Sequence, residues 1–130
     1  MASSNLIKLL DKVQCGYGTG NWTYGDAVAL QNHQTDFLFV GKCICEDEYV
    51  TLTYKVEHSP DGVRWNPLLD SSGAAIEFTC VSTKPGDAVQ TCEIKIADTP
   101  ILPFIRGICG EAEDPATCEC TLDLHYKSQK

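Results

Sequence analysis

The feature that most constrains this chain is an alternation of side chains with period two. Over Tyr49–Glu57, Val50, Leu52, Tyr54 and Val56 share one parity, while Thr51, Thr53, Lys55 and Glu57 share the other. Over Thr117–Tyr126, Cys118, Cys120, Leu122, Leu124 and Tyr126 alternate with Thr117, Glu119, Thr121, Asp123 and His125. A strand sends successive side chains to opposite faces, so each stretch reads as a half-buried β-strand. Ala75–Val81 groups Ile76, Phe78 and Cys80, and Gln90–Ala97 groups Cys92, Ile94 and Ile96. Phe37–Cys45 and Phe104–Cys109 are apolar runs. Turn signals separate these segments. Ser59-Pro60-Asp61-Gly62 precedes the returning segment Val63–Leu69, and Lys84-Pro85-Gly86-Asp87 follows the next strand. In such turns Pro presets φ and Gly supplies the conformation other residues resist. The pattern predicts an all-β fold, a β-sandwich or jelly roll of about seven to eight strands.

Residues 1–34 stand apart as an N-terminal arm or extension, and residues 35–130 form the expected sandwich domain. Leu6, Leu9 and Leu10 have helical spacing in a segment short enough to read as a brief helix or an extended arm. Cys15–Gly25 is rich in glycine and aromatics and reads as an irregular loop. The chain has 130 residues, which suits a single domain. Its net charge of −8 repels phosphates and anionic lipid heads, and its ten basic residues are scattered. Nucleic acid and membrane surfaces are therefore not expected partners. The apolar runs are too short to span a bilayer as a helix. The stretch Met1–Lys12 lacks the apolar core and cleavage site of a secretory signal, so a leaderless protein made in the cytosol is expected.

That expectation sits uneasily with eight cysteines: Cys15, Cys43, Cys45, Cys80, Cys92, Cys109, Cys118 and Cys120. So many thiols are unusual in a reducing compartment. Metal binding, export by an unusual route, or oxidation after cell lysis would each reconcile the two. Cys43 and Cys45 share a strand face, as do Cys118 and Cys120, so each pair is expected to reach across to another strand, loop or chain. Structural zinc favours wider cysteine spacing on a knuckle-like turn. Disulfides are therefore preferred, and neither a metal nor any other cofactor is assigned. Cys80 and Cys92 best fit simple buried thiols. Cys15, in the loose N-terminal stretch, is the candidate for an intermolecular bond. Connectivity stays open, since eight cysteines allow about a hundred pairings.

Catalysis has little support. The histidines are His33, His58 and His125. His58, Ser59 and Asp61 crowd one tight turn and cannot align nucleophile, base and orienter. Gly16, Gly18 and Gly20 lack the flanking strand and helix of a phosphate loop, and no Cys-x-x-Cys pair is present. The acidic runs Glu46-Asp47-Glu48 and Glu111–Asp114 lack calcium-loop spacing and read as solvated charge. Asn21-Trp22-Thr23 is a formal glycosylation acceptor that carries little weight without export. No catalytic residue is assigned, and the chain is not expected to be an enzyme. Tyr17, Trp22 and Tyr24 are partner-binding candidates: aromatics on a glycine-rich segment either insert into a partner's pocket or fold back over their own sheet.

The segment Val56-Glu57-His58-Ser59-Pro60-Asp61-Gly62-Val63-Arg64-Trp65-Asn66-Pro67-Leu68, with the later Phe104–Gly107 and the closing alternating strand, resembles small β-structured virion proteins of tailed phages. The likeness is greatest to capsid decoration, or cement, proteins, and spans residues 35–126. It implies a non-enzymatic protein on the capsid surface, made in the host cytoplasm and homotrimeric. Its partners would be itself and the major capsid protein, with capsomers bridged at local threefold positions. The cysteine richness departs from that family and would suggest disulfide crosslinking of the shell. Two other readings share the sequence pattern: a secreted β-sandwich module stapled by disulfides that binds sugar or protein, and a tail or baseplate component.

Overall fold

The computed structural model describes residues 4–30, 34–46, 49–70, 72–88, 92–96, 101–113 and 117–128. His33, Asp47, Glu48 and Asp114 lie outside the described residues. Among the described residues ten strands run in order: β1 (Ser4–Gln14), β2 (Trp22–Tyr24), β3 (Val28–Ala29), β4 (Gln34–Cys45), β5 (Thr51–Ser59), β6 (Asn66–Pro67), β7 (Glu77–Val81), β8 (Cys92–Ile96), β9 (Phe104–Gly110) and β10 (Cys118–Ser128). One sheet has the order β1-β10-β4-β8. The other has β2-β9-β5-β6, with β3 also on β9 and β7 also on β5.

The pairings nest. β1 lies beside β10, β2 and β3 beside β9, β4 beside β8, and β5 beside β7, with every pair antiparallel. Successive nested pairs alternate between the two sheets. That is a long antiparallel hairpin rolled upon itself, the jelly-roll form of the β-sandwich.

The inner faces meet in a buried core. Leu10, Phe39, Leu122 and Leu124 of the first sheet face Leu52, Tyr54, Val56 and Ile105 of the second, all almost wholly buried. Each large aliphatic side chain so buried is worth roughly 1.5–3 kcal/mol relative to exposure. Tyr54 reaches across the interface and donates its hydroxyl to the Lys42 carbonyl at 2.6 Å. Its ring fills the space over Gly41, where an added Cβ would lie 2.5 Å from a ring carbon. Gly41 is thus a close-approach position in the middle of β4.

The described part of the N-terminal segment supplies strands to both sheets. β1 forms an edge of the first sheet, and β2 and β3 edge the second. β1 carries register shifts between Lys8 and Leu10 and between Leu10 and Val13, with Lys12 at φ 53°. A bulge lets consecutive residues turn to the same side, and Leu9 and Leu10 are indeed both buried. This is why the segment mimics helical spacing. The segment Val63–Leu69, expected as a full partner strand, meets β5 over a short stretch: Asn66 and Pro67 pair with it, and the Leu68 amide donates to the Val56 carbonyl at 3.0 Å. Asp123, expected on the solvated face of β10, is covered by β1 and bonded by Lys8 at 3.4 Å.

The Ser59–Gly62 turn forms as its residues predict. Ser59 Oγ accepts the amides of Asp61 and Gly62, Asp61 accepts those of Val63 and Arg64, and Gly62 has φ 79°. These donors, led by the Arg64 and Val63 amides, hold the Asp61 carboxyl well below the usual carboxylate range.

Candidate functional site

The strand register brings the cysteines together. Cys118 lies opposite Cys45, and Cys120 opposite Cys43, on β10 and β4. The two Cys-x-Cys pairs therefore form a square of four same-face positions aimed into the core. Cys45 and Cys118 are joined by a disulfide, which fits the expectation that each pair reaches a neighbouring strand. Beside that bond, the Cys43 sulfur is 3.5 Å from Cys120 Sγ and 3.9 Å from Cys45 Sγ.

Two more sulfurs approach. Cys109 comes from β9 of the opposite sheet. Cys15 follows the end of β1, where its amide donates to the Cys118 carbonyl at 3.4 Å. The loop after Cys15 is knit to the residues after β9: the Ala112 amide donates to the Gly16 carbonyl at 2.9 Å, the Gly18 amide to the Ala112 carbonyl at 3.0 Å, and the Glu111 amide to the Asn21 carbonyl at 3.0 Å. The Gly20 amide also donates to the Glu111 carboxylate. The sulfurs of Cys15, Cys109 and Cys120 all lie within 4.8 Å of one another, and all six cysteines of the cluster are buried. Cys80, also buried, lies 3.8 Å from the Gly41 carbonyl outside this group. Cys92 sits in β8 opposite Gly41. Cys15, read from sequence as the residue to bond another chain, is 5 % exposed and turned toward its own core.

The thiols perturb one another. Cys43 is pushed far up, first by donating to Cys120 and then by burial, and Cys109 by its bonds to Cys120 and Cys15 and then by burial. Cys120, accepting from Cys109, Cys15 and Cys43, is pushed strongly down. For Cys15, the bond with Cys109 pulls downward, but donation to Cys120 and burial outweigh it and leave it raised to about 12.

The aromatic candidates sit on the outside of the second sheet. Trp22 pairs with Gly110, and Tyr24 with Ile108, through the β2–β9 ladder. Lys55 lies 4.0 Å over the Trp22 ring, and Arg106 lies 4.7 Å over Tyr24 and 4.3 Å over Trp65. Arg106 also bonds the Glu57 carboxylate at 2.6 Å. Trp22 is half-buried, while Tyr17 and Tyr24 are 51 % and 55 % exposed. The segment thus folds back on its own sheet and still presents a face of Trp, Tyr and Arg. Sequence reading offered Trp65 as a sugar-binding candidate but missed Arg106 and did not join either to Tyr24, because the turn and the ladder, not proximity in the chain, bring them together. His58 is not aimed at Ser59: its Nδ1 accepts the Leu102 amide at 3.2 Å.

No family model matches the chain, and no curated protein does so either. Among solved structures it is similar to a chain in the structure of infectious bursal disease virus, Gx strain. The TM-score is 0.50 at 9 % identity, over 98 % of this chain and 32 % of that one. The likeness is one of fold alone. This chain spans about a third of the length of the one it matches.

Proposed function

We propose that this protein is a structural, non-enzymatic component of a virus particle, and that it decorates and stabilises a phage capsid by bridging capsomers as a homotrimer. The observation that carries the reading is the jelly roll, nested strand for strand across both sheets, whose fold matches a chain of a virus structure over nearly its whole length. The Trp22–Tyr24–Trp65–Arg106 face supplies the residue types that dominate protein interfaces and is the surface assigned to the shell protein. The internal disulfide braces the sandwich against load.

The test is to separate particles from the producing culture on a density gradient and to probe each fraction for this chain. Co-migration with the shell protein is expected, with loss of association on Tyr24→Ala plus Arg106→Ala. Recovery of the chain only with free protein overturns the reading.

A second reading is favoured by one observation: the Cys45–Cys118 bond lies within the chain and the neighbouring thiols face inward. A self-contained secreted binding module would look so. Denaturing gels with and without reductant separate the two. A ladder of dimers and trimers that collapses on reduction supports crosslinked shell subunits. A single band, faster when unreduced, supports the module.

A further inference from the structure

We propose that Cys15, Cys43, Cys109 and Cys120 form a site for a thiophilic divalent cation, Zn²⁺ being the simplest occupant, beneath the Cys45–Cys118 disulfide. The inference does not depend on the virion reading. Four features carry it. The sulfurs of Cys15, Cys109 and Cys120 lie within 4.8 Å of one another, and Cys43 Sγ is 3.5 Å from Cys120 Sγ. Four thiolates around Zn²⁺ at 2.3 Å lie about 3.8 Å apart, close to the 3.5 Å between Cys43 and Cys120, so Cys43 is the fourth sulfur placed beside the other three. Three different strands and the loop after β1 supply these sulfurs, drawn from both sheets, so the site ties the two layers of the sandwich together. Finally, the neighbouring pair Cys45 and Cys118 is committed to a disulfide, which holds β4 against β10 and keeps Cys43 and Cys120 face to face.

The ligand set follows tertiary register rather than sequence spacing. A strand pair contributes one residue from each Cys-x-Cys, and the other two ligands come from 15 and 109. The knuckle pattern that signals zinc in a sequence is absent for that reason. On binding, each of the four thiols gives up its proton as its sulfur takes a bond to the cation, and no electron changes hands.

The experiment uses the full chain, purified without oxygen and stripped of metal, titrated with Co²⁺ and then Zn²⁺. Uptake of one Co²⁺ per chain is expected, with an intense thiolate charge-transfer band and the visible bands of tetrahedral coordination, both erased by one Zn²⁺. X-ray absorption at the zinc edge should count four sulfurs at about 2.3 Å. Cys15→Ser and Cys120→Ser, each checked for folding by circular dichroism, should weaken binding by at least about tenfold. Cys15→Ser, just beyond the end of β1, keeps the test decisive if Cys120→Ser does not fold. No uptake by the folded chain, fewer than four sulfurs at the metal, or unchanged affinity in Cys15→Ser overturns the proposal. So do Cys43–Cys120 or Cys15–Cys109 bridges found by peptide mapping of protein alkylated at the moment of cell lysis.

Discussion

At the scale of single residues, position and partner decide what each side chain does. His58 illustrates this. Burial in the second sheet pushes its imidazole below the ordinary value of 6.5, and the Leu102 amide occupies Nδ1. The unfolded chain therefore takes up a proton that the folded chain resists. Stability from this residue is complete above pH 6.5 and is lost as pH falls through 6.5 toward the depressed folded value. Asp61 and Asp70 are also pushed down, Asp61 by backbone amides and Asp70 first by the Ser72 hydroxyl. Their contribution is fully present throughout this window and is lost only at lower pH, as the carboxyls are protonated. Urea unfolding midpoints should drop between pH of about 7.5 and about 5.5, and His58→Gln should flatten that drop. An equal drop in the variant would assign the effect to other groups. In sequence, His58 stood beside Ser59 and Asp61 as a weak catalytic set. Only the long-range approach of Leu102 reveals its partner.

At the scale of elements, alternation was legible wherever a strand is regular and one-sided. Val50 to Val56, and Cys118 to Leu124, are buried on the parity their pattern implies. The reading failed where local geometry departs from the pleat. β1 hides behind its bulges, and β2 and β3 are too short to show a period. The thiol cluster was half legible. Same-face geometry within each Cys-x-Cys follows from the pleat, whereas the approach of Cys15 and Cys109 depends on how the hairpin rolls. The Cys45–Cys118 bond acts on the β4–β10 ladder and closes a long stretch of chain, with a sequence separation of 73. Such closure typically contributes about 2–4 kcal/mol. The double variant Cys45→Ala plus Cys118→Ala should lose stability of that order in chemical denaturation while keeping its β-rich circular dichroism. A loss below about 1 kcal/mol would show that the strands hold their register without the bond.

At the scale of the whole molecule, nesting places the first and last strands side by side, with Ser4 opposite Lys127. The inner layers lie between the two halves of the disulfide in the chain. Stretching the protein from its ends would peel β1 from β10 one rung at a time, like a zip, and then separate β10 from β4. The tear would stop at Cys45–Cys118. Everything between those residues, β5 through β9 included, would carry no tension. In single-molecule pulling, adding reductant should release a hidden length of about 250 Å, the span of 73 residues drawn straight. The bond thus acts as a mechanical fuse, dividing the chain into a short outer part that yields to force and an inner part that force reaches only after chemistry has opened the way.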